Sequence, residues 1–196
     1  MADLAFDAAA HRYTKDGILV PNVTGVLEPI IDYAGVPAWT LERARQIGSA
    51  VHLATELDDR DDLVEDSVAT EIVPYLDAWR RFRLETGFVP ETIEERVFSP
   101  RHWYAGALDR SGPAPDNGDP SLFDIKSTST LMPSTGPQLA AYLEARNYRR
   151  KDKVKRRFAV QLKPDGTYRL QEYKDKADFS VFLACLTLHN WAVNNA

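Results

Sequence analysis

The sequence predicts an α/β fold: a central mixed β-sheet flanked by helices. Two observations carry this. Helical periodicity governs the stretches around 40–57 and 67–86, then gives way to strand-like alternation between 92 and 126. The order that results is helices, three strands, a helix, two strands and a last helix, which suits a layered α/β sandwich.

Each element has a local reason. From Phe6 to Leu27 the chain reads as a pair of short strands, HRYT and ILVP, with Asp16-Gly17 as the turn. A helix is expected from Thr40, a plausible N-cap, to Leu57, because Leu41, Ala44, Ile47, Val51 and Ala54 recur at helical spacing. A second is expected from Ser67 to Thr86 on the stripe Val68, Ile72, Leu76, Trp79 and Phe82, kinked by Pro74 and ended by Gly87. Thr92–Phe98 and Trp103–Asp109 read as strands joined at Ser99-Pro100. Residues 111–120, SGPAPDNGDP, are dense in turn formers, and Ser121–Lys126 is a third strand. A helix follows over Pro137–Tyr148, then a hairpin of Arg157–Leu162 and Thr167–Tyr173 about Pro164-Asp165-Gly166. A last apolar helix covers Ala177–Val193.

With 196 residues, 44% of them hydrophobic, the chain suits one globular domain: hairpin and helices over about 1–88, the sheet core over about 89–196. No run of about 18 apolar residues predicts a membrane span, and the opening MADLAFDAAAHRY does not read as a secretory leader. The single cysteine, Cys185, sits in an apolar run and is expected in the core. A cytosolic protein is the natural expectation. The formal net charge of −5 hides segregation: residues 56–66 are strongly acidic, and 146–157, RNYRRKDKVKRR, strongly basic.

Asp109 ends one predicted strand, and Asp124 and Lys126 lie on the next. Residues i and i+2 of a strand project from one face, so Asp124 and Lys126 point together, and adjacent strands bring Asp109 to the same place. Convergent carboxylates, with the Ile125 carbonyl as a further oxygen, suit Mg²⁺ or Mn²⁺, one ion or two. Such an ion assists phosphodiester hydrolysis, and a lysine beside it holds the phosphate or orients water.

The segments ERVFSPRHWYAGALDR, LFDIKST and QLAAY resemble the core of the PD-(D/E)XK nuclease superfamily, which has a restriction-endonuclease-like fold. The likeness is to its RecB-like, phage-type exonuclease branch, which includes the mitochondrial genome maintenance exonuclease. Gly106-Ala107-Leu108-Asp109 matches the Gly-x-x-Asp strand end, and Asp124-Ile125-Lys126 matches the (Asp/Glu)-x-Lys element. Gln138 and Tyr142 match the Gln-x-x-x-Tyr helix, Gly48 and His52 the upstream Gly-x-x-x-His helix, and Glu94 the preceding glutamate, with Glu95 as its competitor. Even the opening HRYTKDGILVPNVTGVL is similar to phage-type members. The resemblance implies Asp109, Asp124, Lys126, Glu94, Gln138 and Tyr142 as catalytic residues, and His52 as a metal ligand beside Asp109 and Asp124. Gly48 is expected to let its helix approach sheet or substrate, Glu56 to orient His52 or a metal-bound water, and Gly106 to support the strand.

DNA is the implied partner. Arg149, Arg150, Lys151, Lys153, Lys155, Arg156 and Arg157 are expected near an edge of the site, tracking a phosphate backbone. Trp103 and Tyr104 are candidates to stack on a nucleotide, with core packing expected for at least one of them. The leading expectation is an exonuclease of single strands or duplex ends in recombination, repair or phage DNA processing, working with a recombinase or a single-strand-binding protein. A structure-specific or restriction-type endonuclease and a non-catalytic nucleic-acid-binding module are the rivals.

Overall fold

The computed structural model describes residues 4–7, 10 and 12–195. His11, which opens the family-like N-terminal segment, lies outside them. Strands β1 (Leu4–Asp7), β2 (Arg12–Lys15) and β3 (Ile18–Val20) form a small antiparallel sheet in that order. The expected hairpin is β2–β3. Asp16 and Gly17 both have positive φ, 53° and 79°, the twist that a two-residue turn between strands needs. The chain then forms a helical turn, α1 (Val23–Val26), where Asn22 Oδ1 accepts from the Gly25 N–H at 2.7 Å.

Helix α2 (Ala38–Asp59) begins earlier than expected. Pro37, not Thr40, flanks its start, and its fixed φ suits a first turn. Helix α3 (Val73–Thr86) is shorter than its apolar stripe. Pro74 stands in its first turn, where a missing N–H costs nothing, so it starts the helix instead of kinking it. Residues 65–67 form a separate 3₁₀ turn. Gly87, at φ 68°, terminates α3 as predicted.

The main sheet runs β4 (Thr92–Ser99), β5 (Tyr104–Pro113), β6 (Pro120–Lys126), β7 (Arg156–Leu162) and β8 (Tyr168–Glu172), in chain order. All neighbours are antiparallel except β6 and β7, which are parallel. The crossover between them carries α4 (Thr135–Asn147), and the last helix is α5 (Asp178–Asn194). The result is an α/β fold with a mixed central sheet flanked by helices.

One apolar layer joins Leu108, Leu122 and Tyr104 of the sheet to Leu139 of α4 and Phe182 and Cys185 of α5. The other joins Phe123, Ile125, Phe158 and Val160 to Val51 of α2 and Trp79 and Phe82 of α3. Leu122 and Phe123 are adjacent and serve opposite layers, as alternation along a strand requires. Among the described residues no helix is long and apolar enough to cross a membrane.

Candidate active site

Strand β5 changes face at Asp109. Tyr104 and Leu108 belong to the layer beneath α4 and α5, and Gly106 abuts the Tyr142 ring of α4. Arg110 instead bonds Asp59 of α2, and a side chain at Gly112 would meet Phe88, in the layer beneath α2 and α3. Strict alternation would put all five on one face. The switch coincides with Glu94 on the neighbouring strand, whose φ is 52°. The ladder pairs Ile93 with Arg110 and Glu95 with Leu108 and skips Glu94. A glutamate held in the left-handed region is uncommon and costs free energy, and such residues concentrate at functional sites.

The second irregularity lies on the other side of β5. Its ladder with β6 ends at Arg110–Phe123. Beyond that pair Asp109 Oδ2 accepts the Ile125 backbone N–H at 2.6 Å, replacing a strand carbonyl. Asp109 is therefore inside a strand that continues to Pro113, not at a strand end as expected. Because N–H and C=O of one strand residue point to the same side, the Ile125 carbonyl also faces this split.

These distortions gather His52, Glu94 and Asp109, each offering a ligand atom within 4.8 Å of the others. That is close to the span of ligands on opposite sides of one divalent ion, about 4–5 Å for bond lengths of 2.0–2.6 Å. His52 Nδ1 is 3.6 Å from Asp109 Oδ1. Burial, then the charge of Asp109, pushes the Glu94 carboxyl up to about 7, against the opposing pull of His52 and Arg110. Asp124 lines the same cavity, which measures about 740 Å³. Burial raises its pKa, with a further contribution from Asp109. Asp124 Oδ2 lies 2.8 Å from Lys126 Nζ, a largely buried ion pair. An oxygen-rich donor set with one imidazole fits a hard or borderline divalent cation.

Lys126 Nζ donates to Gln138 Oε1 at 2.9 Å, and Gln138 Nε2 donates to the Tyr142 hydroxyl at 3.2 Å. Gln138 and Tyr142 stand four residues apart on α4 and share one face. Burial opposes the Lys126 charge, but Asp124 and Asp109 outweigh it, and the net pKa shift is upward. Burial, then these carboxylates, also raises the pKa of Tyr142. A Cβ at Gly106 would lie 2.6 Å from the Tyr142 ring, so glycine is what lets this ring lie against β5.

Other expected residues are placed differently. Gly48 lines the cavity, but a Cβ there would meet only Ser127 Oγ at 3.8 Å, an ordinary contact, so no close approach to the sheet requires glycine. Glu56 accepts from Arg60 at 3.0 Å, not from His52. Glu95, the competitor of Glu94, pairs with Arg146 and Arg150 at 3.0 and 2.7 Å. Tyr104 is fully buried, its hydroxyl on Ala141 O and Glu144, and has no face for a nucleotide. Trp103 packs edge-on against Phe98 and donates to Leu19 O.

The basic run is not beside the cavity. Arg156 pairs with Ser121 at the start of β6, and Gln161 pairs with Lys126 at its end, so five residues separate Arg156 from the site, about 17 Å along the strand. Arg157 is buried and bonds Gly136 O, Asp175 O and Asp178. Arg156 is held by Glu172 and Asp116, Lys155 by Asp119, and Lys153 by Asn147 O. Arg149 lies over the Tyr148 ring, and Lys151 is exposed.

The cavity also holds residues that sequence reasoning missed: Tyr13, Asn22, Ser49 and Arg45. Arg45 precedes Gly48 and His52 by three and seven residues, one face of α2, and that spacing was the available signal.

No family model matches the chain, and no curated protein does. Among solved structures, an alkaline exonuclease from Laribacter hongkongensis is similar over 90% of this chain and 95% of that one, at a TM-score of 0.42 and 18% sequence identity.

Proposed function

We propose that the protein is a metal-dependent nuclease that hydrolyses phosphodiester bonds of DNA, with Mg²⁺ or Mn²⁺ as its ion. The observation that carries this reading is the meeting of His52, Glu94 and Asp109 with the Asp124–Lys126 couple in one cavity. His52, Glu94 and Asp109 would hold the cation, with the Asp124 carboxylate lining the same cavity beside them. The Ile125 carbonyl faces the same split. When bound, the ion polarises a phosphoryl oxygen and makes water a better nucleophile.

The chain's own groups do the positioning. Lys126 presents an ammonium to a non-bridging phosphate oxygen. Gln138 fixes that ammonium from one side, and Tyr142 fixes Gln138. Arg45, at the mouth, adds charge for the phosphate backbone.

The finer reading rests on motif order: a RecB-like, phage-type exonuclease of single strands or duplex ends, serving recombination, repair or phage DNA processing in the cytosol. A recombinase or a single-strand-binding protein is the matching partner. The test is digestion of linear and circular single-stranded DNA with Mn²⁺, using wild type and Asp124→Ala. An exonuclease degrades the linear strand and leaves the circle intact. Cleavage of the circle would indicate an endonuclease. Equal product from the variant and wild type would overturn the hydrolytic assignment, and binding by wild type without cleavage would indicate a non-catalytic module.

A further inference from the structure

We infer that a second cavity, which adjoins the candidate active-site cavity at Lys126, receives the base of a nucleotide whose phosphate lies at Lys126. The inference rests on the nuclease reading for its substrate class and goes beyond it by naming where a base sits. The cavity is about 170 Å³ and is bounded by Leu27, Ile31, Tyr33 and Met132. Thr24, Lys126 and Gln138 line both this cavity and the active-site cavity, so the two adjoin at the lysine that faces a phosphate.

The character of the wall changes across that boundary. On one side stand carboxylates and an imidazole. On the other, Leu27, Ile31, Tyr33 and Met132 stand beside the hydroxyls of Thr24, Thr128, Ser134 and Thr135, and among the described residues that line it there is no carboxylate and Lys126 is the one charge. A site that is apolar, has a few hydroxyls and carries one cation at its edge matches a flat heteroaromatic group joined to an anion. A nucleotide has that composition. Tyr33 is 48% exposed, so its side chain is not used up by packing. Base–aromatic stacking tolerates every base, so this pocket adds affinity without reading sequence.

Met132 makes the test direct. The chain has two methionines, Met1 and Met132, so a spectrum of ¹³C-methyl methionine holds two signals to assign. The full chain is titrated in Mg²⁺ with dAMP, with deoxyribose 5-phosphate and with inorganic phosphate. The expected result is a Met132 methyl shift with dAMP alone, and tighter binding of dAMP than of deoxyribose 5-phosphate by about 5- to 150-fold. Tyr33→Ala removes that difference and leaves the deoxyribose 5-phosphate affinity unchanged. Because Tyr33 is half exposed, its truncation leaves the unfolding temperature close to wild type. Equal binding of the two phosphates, or an unmoved Met132 methyl, overturns the proposal. The outcomes separate from those of the nuclease reading. DNA cleavage without base-dependent binding refutes only the base pocket. Base-dependent binding without cleavage refutes only the nuclease.

Discussion

The Asp109 carboxylate accepts the backbone N–H of Ile125 at 2.6 Å, across the point where the β5–β6 ladder stops. One side chain thus closes a gap in the sheet and contributes to the candidate metal group. The two jobs separate by substitution. Asp109→Asn keeps an oxygen for Ile125 and loses the charge that holds a cation. Cleavage is expected to fall by about 10³-fold, with an unfolding temperature near wild type. Asp109→Ala loses both, leaves a buried N–H unsatisfied and costs a further 1–3 kcal/mol or so. Urea unfolding of the two variants beside their DNase rates checks this. Equal stability of Asn and Ala would mean that the Ile125 bond is unimportant.

Arg110 is fully buried beneath α2 and α3, with Asp59 at 2.6 Å, Glu94 at 3.0 Å and the Trp79 ring 5.7 Å from its guanidinium carbon. Removing one partner of a buried ion pair leaves the other uncompensated. Asp59→Ala is therefore expected to cost about 3–5 kcal/mol in urea unfolding. Asp59 lies outside the cavity-lining set and reaches the candidate metal group only through Arg110, which also bonds Glu94. A loss below about 1 kcal/mol would show that Arg110 is satisfied without Asp59.

Much of this site was legible because its parts obey local periodicity. Alternation put Asp124 and Lys126 on one face, and helical spacing put Gln138 beside Tyr142. Both relationships hold in the structure, and all four side chains line the cavity. The illegible parts depend on tertiary context. Nothing local marks Glu94 for a left-handed backbone or Asp109 for a split in the ladder. The surroundings of the basic run were illegible for the same reason. Its partners, Asp116, Asp119, Glu172 and Asp178, are distant in sequence, so their charge compensation could not be read from composition. Pro74 misled differently: the apolar stripe extended upstream of it, and only its position in the first turn of α3 decides between a kink and a start.

The Glu94 carboxyl, pushed up to about 7, predicts opposing pH trends for folding and for ion binding. The native state holds a proton that the unfolded chain releases near its ordinary value of 4.5. Glu94 thus contributes stability that is complete below about pH 4.5 and lost as pH rises through about 7, at most about 3 kcal/mol. A cation needs the carboxylate, so its binding strengthens over the same interval. Without metal, the unfolding temperature is expected to fall from about pH 5 to pH 8, while the increase produced by Mg²⁺ grows. Glu94→Gln flattens both trends. Wild-type curves that are already flat would place the Glu94 titration elsewhere.

Arg45 and the pair Arg149 and Lys151 give competing predictions about where DNA lies. Arg45 lines the active-site cavity, its side chain 71% exposed and only 3.9 Å from Glu42 at best. The basic run begins in the last turn of α4 and reaches β7 opposite Ser121, at the end of the sheet away from Lys126. Removing one cation from a phosphate lowers the slope of log affinity against log salt by about 0.7–0.9. Binding of a short single-stranded oligonucleotide to a cleavage-deficient Asp124→Asn background is measured from about 50 to 200 mM salt. Arg45→Ala is expected to reduce the slope by nearly that amount and to weaken binding severalfold at the low-salt end. The Arg149→Ala/Lys151→Ala pair is expected to leave the slope within error, because an oligonucleotide that spans the cavity does not reach them. A reversed outcome would move the strand across the sheet toward β7 and restore the basic run as its track.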